Sequence, residues 1–427
     1  MNPFVQKFLS LYRSWGRGFL FGIFEQGLLS GTSFVVTVIL ARVLGATEFG
    51  WFSVIWAFVI FLESAANGLF GDAIPSLAHK LRESLWPQFR ASIFLSMLTV
   101  CVVVCVPLLL VAGGLELAGF VYPAAVIPAI FFFGVQRMQN VVRRTYYLDG
   151  LRGRAALSAC ANVAVTFAAL EGVHKLFGLS ASSAFICLSA GSVAALITGA
   201  SYIAGYERPS RRLYFWVIRN LWLKGRWTMA SATMSWIGNM GVIPFAAFLI
   251  SPVAGGGVRA IQTMVLPLVQ VNQILISILV PKMAGKMRTE GRGKIRQLAV
   301  KLIALLSLIG FSYAAVIAIG GEALFEALFH FEKGQITNLA ITIAVLGYAF
   351  EGIRYGCNIM LYSVGDTVIV GQGQIVSMLS AIVIIPILGH YFGLTGLVLG
   401  MTIANNINTL YVAGKFFRAK APLGTRG

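Results

Sequence analysis

The chain has 427 residues, of which 58% are hydrophobic and only 11% charged, and its formal net charge is +18. A soluble globular chain carries about 25% charged residues, so a soluble enzyme or soluble binding module is excluded. The apolar residues come in blocks of roughly 20, the length of helix that crosses ~30 Å of hydrocarbon, and the two-residue alternation of a membrane β-barrel is absent.

The sequence predicts an all-α polytopic membrane protein of about twelve transmembrane helices. The first span, 19–41, runs past signal-peptide length with no small-residue cleavage site. It carries Glu25 beside Gln26, with Thr32 two turns on. A charge at a helix centre costs ~2.5–3.5 kcal/mol on insertion scales, and such residues face a bundle interior or a wet cavity. Glu25 is therefore either a site for a coupling ion or proton, or a hydrogen-bond partner for a neighbouring helix. The second span, 51–74, places Glu63 and Asn67 at i, i+4 on one face as candidate cavity-lining residues. Asp72 near its end reads as solvated. Spans three to six cover 91–111, 121–142, 155–176 and 182–202. The five cysteines all fall inside apolar runs with no CxxC pair, and read as small buried residues.

Span seven, 227–250, follows a basic loop. Span eight, 258–280, opens on Arg259, with Gln262 on the same face. A guanidinium is suited to bidentate contact with phosphate; at a span end it also reads as an arginine snorkelling to head groups. Span nine covers 298–319. Span ten, 338–361, carries Glu351 and Arg354 at i, i+3, with Asn358 one turn on. They read either as a structural ion pair or as a charged cavity site where a ligand competes with Glu351 for Arg354. Gly365 and Asp366 are expected to form the turn into span eleven, 371–390, and span twelve covers 394–415.

Basic residues set the orientation. Arg42, Lys175, Arg259 and Lys333 fall on one side and Arg354 lies inside span ten. The rest of the 33 Lys and Arg are assigned to the side holding both termini, five of them to the loop between spans four and five, a count that takes in Arg137 from inside span four. By the positive-inside rule both termini are cytoplasmic. The basic excess is thus mainly a topology signal, with contacts to anionic membrane lipids second and nucleic acid not expected.

The halves repeat. Tyr147 and Gly150 correspond to Tyr362 and Gly365, and Phe177–Gly178–Leu179–Ser180 to Phe392–Gly393–Leu394–Thr395, all at an offset of 215. Six spans per half is even, so this is a parallel repeat. The expected organisation is an N-terminal six-helix bundle at 1–204, a cytoplasmic basic linker at 205–226 and a C-terminal six-helix bundle at 227–427. Two such bundles around a central cavity suit alternating access. No Walker A, GxSxG or HExxH sequence is present, so the reading is of a non-enzyme without cofactor or metal.

The stretch LARVLGATEFGWFSV at 40–54 resembles the signature of polysaccharide transporters, the Wzx-type flippases of the multidrug/oligosaccharidyl-lipid/polysaccharide exporter superfamily. The ending GHYFGLTGLVLGMTIA at 389–404 is similar to that family's penultimate loop and last helix. The resemblance implies an inner-membrane flippase that moves a polyprenyl-pyrophosphate-linked oligosaccharide to the periplasmic leaflet. Its product would feed exopolysaccharide or O-antigen assembly, with a polysaccharide polymerase and other assembly proteins as partners. Two alternatives stand beside it: a cation-coupled multidrug exporter of the same superfamily, and an integral-membrane polymerase or ligase acting on the same lipid-linked sugars.

Overall fold

The computed structural model describes residues 3–71, 73–78, 81–118, 123–331, 336–364 and 367–418. Asp72 and the turn expected at Gly365 and Asp366 lie outside them. Among the described residues there is no strand. The helices are α1 (Pro3–Val43), α2 (Ala46–Phe70), α3 (Ala73–Ala78), α4 (Trp86–Leu117), α5 (Val126–Leu148), α6 (Arg152–Phe177) and α7 (Ala181–Thr198). They continue as α8 (Ala200–Ile203), α9 (Arg211–Asn239), α10 (Val242–Leu249), α11 (Pro252–Phe329), α12 (Asn338–Val364) and α13 (Thr367–Arg418).

Among the described residues, seven helices are each long and apolar enough to cross a membrane, and the bent pair α9 and α10 makes an eighth. The twelve expected spans all map onto helices, and the smaller number has physical causes. Helix α13 holds two spans, divided at Gly393, where φ is 57° and ψ −139°. That backbone is open to glycine and strained for other residues, so the expected break between spans eleven and twelve falls where the sequence allows it. Helix α11 also holds two. Tyr313 Oη donates to the Met264 carbonyl at 2.7 Å, whereas along a straight helix these residues would stand roughly 70 Å apart. The element therefore folds back on itself. Helices α5 and α12 carry Arg137, Arg143 and Arg144, and Glu351 and Arg354, which lower their hydropathy.

The surface is that of a membrane protein. Val103, Leu110, Ile197, Leu308 and Ile319 point outward, while Glu25, Arg137, Arg259 and Glu351 are buried. Lipid rewards this inversion, because hydrocarbon solvates outer apolar side chains and leaves polar ones to find partners inside.

The chain divides into two compact units: Met1–Val36 with Phe58–Ala230, and Thr37–Ala57 with Ser231–Gly427. In the first unit, α5 packs on α4 and α7, and α6 on α7. Residues 211–226, read as a linker loop, are helical in α9. Val217 and Leu221 of that stretch are buried in a core with Phe70, Ile74, Leu77, Phe89 and Ile93, while Arg211, Arg212 and Arg219 stay exposed. Its amphipathic period holds the helix onto the unit. In the second unit, α11 packs on α10 and α12, and α13 on α10 and α12. The α1–α2 turn belongs to it. Arg42 donates from Nε to the Leu328 carbonyl at 2.8 Å, near the end of α11, and Trp236 Nε1 donates to the Ala57 carbonyl at 2.7 Å. Gly50 lies so close to α11 that a Cβ there would stand 2.0 Å from the Pro252 carbonyl oxygen.

Candidate functional site

In the first unit the buried acids and cations of α1, α2 and α5 pair with one another. Helix α5 is amphipathic, and its cations meet acids from α1 and α2. Glu25, 2% exposed, lies 3.4 Å from Arg143 Nη1 and accepts a hydrogen bond from Tyr147 Oη. Arg137, also 2% exposed, pairs with Glu63 at 2.7 Å and donates to Asn67 Oδ1 at 3.1 Å. Arg144 donates to the same oxygen at 3.2 Å. Burying a lone charge costs several kcal/mol, and opposite charges at these distances offset it.

The second unit holds a cavity of about 380 Å³. Its floor is set by a helix that breaks. The carbonyl of Trp236 accepts from both Met240 N and Gly241 N, at 2.7 and 3.0 Å, and α9 gives way to α10 through a bend of 42°. Asn239 and Met240 at that break line the cavity. The freed Asn239 carbonyl accepts from Gln262 Nε2 at 2.7 Å, and its side chain accepts from Asn405 Nδ2 at 3.0 Å. Irregular backbone at membrane depth is tolerated where it is buried in protein or lines a cavity.

Arg259 faces this space from α11. The helix starts at Ser251, whose hydroxyl accepts from Ala254 N at 3.2 Å, with Pro252 at the first position; a serine cap followed by proline favours a helix start. Two turns in, Arg259 is 4% exposed. The snorkelling alternative required a side chain reaching the head groups, and this one is buried. Its guanidinium lies over the Trp56 ring, 5.8 Å from the centroid. Among the described residues it has no carboxylate partner, and its Nε is buried without a hydrogen-bond partner.

Glu351 and Arg354, 2% and 7% exposed, form the ion pair their spacing suggested. Arg354 Nε, Gln262 Oε1 and Asn358 Oδ1 are buried without partners, and all three residues line the cavity. With Glu351 neutralising Arg354, Arg259 is the surplus charge. The wall is thus an anion-attracting surface that also offers two amide oxygens to a donor.

Four sequence-predicted residues, Arg259, Gln262, Glu351 and Arg354, come together here. Glu25, Glu63 and Asn67 sit in the first unit's ion-paired networks instead. Sequence reasoning missed their partners Arg137, Arg143, Arg144 and Tyr147. The basic residues were counted as loop charges, whereas α5 stays helical to Leu148; the position of Arg137 inside span four was the available signal. Also missed were Asn239, Trp56 and the cavity tyrosines Tyr348, Tyr355 and Tyr362. The seven-residue spacing of those tyrosines is visible in the sequence.

Residues 16–287 match the family profile described as polysaccharide biosynthesis protein. No curated protein sequence matches the chain. Among solved structures, an inward-facing multidrug resistance MATE family transporter of the MOP superfamily superposes with a TM-score of 0.70 at 14% identity, covering 93% of this chain and 96% of that one. The lipid II flippase MurJ, in an inward closed conformation, gives 0.69 at 14% identity, covering 93% and 87%. A eukaryotic MATE transporter, AtDTX14, gives 0.65 at 13% identity, covering 94% and 96%. The fold is that of these transporters.

Proposed function

The chain belongs to the polysaccharide biosynthesis protein family, and on that premise we propose that it is a flippase for a polyprenyl-pyrophosphate-linked oligosaccharide. It carries that lipid from the cytoplasmic to the periplasmic leaflet of the inner membrane by alternating access, with both termini cytoplasmic. The product goes to exopolysaccharide or O-antigen assembly, where a polymerase consumes it.

The observation that carries this reading is Arg259: a buried guanidinium lining a cavity, with no carboxylate partner among the described residues. A cation–π contact contributes ~2 kcal/mol or somewhat more when desolvated, less than the several kcal/mol that an unpaired buried ion costs. An anionic ligand supplies the difference, and a pyrophosphate matches the fork of a guanidinium. Arg354 becomes a second phosphate ligand when the anion competes with Glu351. A cationic drug would meet Arg259 as a like charge, so the multidrug alternative is disfavoured. Outward movement of an anion is assisted by a potential negative inside, by ~2.3 kcal/mol per charge per 100 mV.

The test is deletion of the gene, followed by a membrane-impermeant glycan-modifying enzyme applied to spheroplasts. The expected result is lipid-linked oligosaccharide that accumulates protected on the cytoplasmic side, with loss of surface polymer. Intermediate that reaches the periplasm unpolymerised would remove transport from this chain's role.

A further inference from the structure

Helix α12 presents a regular feature to the cavity that phosphate binding does not use. Tyr348, Tyr355 and Tyr362 all line it. They recur every seven residues, so each lies two turns beyond the last on nearly the same face, about 10.5 Å further along the axis. Glu351, Arg354 and Asn358 occupy the same side of the helix between them. Tyr348 and Tyr355 are half-buried and Tyr362 is exposed at the end of the row. Such a row on a helix is more often a packing stripe or an interfacial belt. Here all three residues line the cavity, and Tyr355 in addition packs against the unit's core and carries the Arg354 guanidinium over its ring, 5.1 Å from the centroid.

The unsatisfied polar atoms of the same wall narrow the ligand. Two are donors, Arg259 Nε and Arg354 Nε, and two are acceptors, Gln262 Oε1 and Asn358 Oδ1. The acceptor assignment of Gln262 is fixed by its Nε2, which already donates to the Asn239 carbonyl. An ionised phosphate accepts hydrogen bonds and leaves the amide oxygens unpaired, which costs their desolvation. An organic cation satisfies the oxygens and leaves the guanidinium donors. A sugar joined to a phosphate satisfies both sets, because hydroxyls donate where the phosphate cannot. A pyranose also carries a face of polarised C–H bonds that rests against the negative face of an aromatic ring.

We infer that the α12 tyrosine row is the glycan subsite: the rings of Tyr348 and Tyr355 stack the sugar next to the pyrophosphate, with Asn358 and Gln262 accepting its hydroxyls. The assignment rests on the flippase reading above and adds to it the source of sugar recognition. The cavity, about 380 Å³, lies at the small end of ligand pockets. It takes the first sugar or two with the phosphate and leaves the remaining glycan outside. Selectivity therefore falls on the reducing-end sugar and hardly at all on distal ones.

The test uses the purified full-length protein in lipid nanodiscs and calorimetric titration with two probes, bare polyprenyl pyrophosphate and the same lipid bearing one hexose. The wild type is expected to bind the glycosylated probe at least tenfold more tightly. In the Tyr348→Ala/Tyr355→Ala double variant that preference falls by about tenfold, at roughly a threefold share per ring, while bare-lipid affinity stays within about twofold. Tyr348→Phe/Tyr355→Phe keeps the rings and retains most of the preference, which separates stacking from misfolding. Arg259→Ala weakens both probes together. A double alanine variant that keeps the preference, or that loses both probes equally while its phenylalanine counterpart does the same, overturns the subsite and leaves the flippase reading standing. A wild type that binds neither probe overturns the flippase reading itself.

Discussion

Helices α5 and α12 are the fourth spans of their respective halves, and the 215-residue offset aligns them residue by residue. Gln136 falls on Glu351, Gln139 on Arg354, Arg143 on Asn358 and Tyr147 on Tyr362. In the first unit this helix turns its arginines toward Glu25, Glu63 and Asn67 and pairs them there, with Arg137 Nε and Glu25 Oε1 left without a hydrogen-bond partner. In the second unit the aligned helix lines an open cavity, its one acid is taken up by Arg354, and Arg259 on α11 goes unneutralised. The shared offset places the same position in both halves. What differs is whether neighbouring helices bring carboxylates to it: in the first unit they do, and in the second Arg259 has no carboxylate partner among the described residues.

The comparison breaks most visibly at Arg137. Arg137→Ala leaves Glu63 without its cation, and removing one member of a buried pair costs about 3–5 kcal/mol. The expected outcome is a large fall in thermal stability of the purified protein, partly restored by the double change Arg137→Ala/Glu63→Ala. A stability loss no greater than that of Arg259→Ala would mean that the first unit's charges are not structural.

Arg259→Ala should do the reverse, reducing transport about a hundredfold, the equivalent of roughly 2.8 kcal/mol, with normal protein level and unchanged or improved thermal stability. Spheroplast accessibility of the lipid-linked sugar reads the effect, and Arg259→Lys, a point charge without the fork, should recover only part. Full transport by the alanine variant would end the argument from the surplus cation.

Two smaller effects sharpen how the second unit is built. Gly50→Ala forces a methyl against the Pro252 carbonyl, and overpacking of this kind costs about 1–3 kcal/mol, read as a lowered unfolding temperature. Arg42→Ala removes a cation from the carbonyls near the end of α11, worth about 0.3–1 kcal/mol; a shift matching that of Gly50→Ala would make the cap more important than the close approach.

The membrane fold was legible because hydropathy is a local property: twelve apolar blocks mark twelve helical segments, and Gly393 stands where spans eleven and twelve divide. The Glu351–Arg354 pair was legible for the same reason, since i, i+3 neighbours meet on any helix. Arg143 finding Glu25 was not, because the two are 118 residues apart in sequence and their meeting depends on how helices pack. Nor was the burial of Arg259. A position near a span end reads as interfacial, whereas Trp56 of α2 sets its ring against the guanidinium. The continuation of helix through 281–296 escaped as well, because a run of basic residues and glycines has the composition of a loop.

The membership of Thr37–Ala57 in the second unit bears on how the protein is made. The segment is synthesised early, well before any other part of that unit, and it supplies the ring beneath Arg259 and the carbonyl that accepts from Trp236. A fragment beginning at the second half of the repeat therefore lacks a piece of its own unit. Completion of the second unit draws on the first hairpin to leave the ribosome, so a gene cut at the repeat boundary yields two products, of which the later one needs the earlier to finish folding.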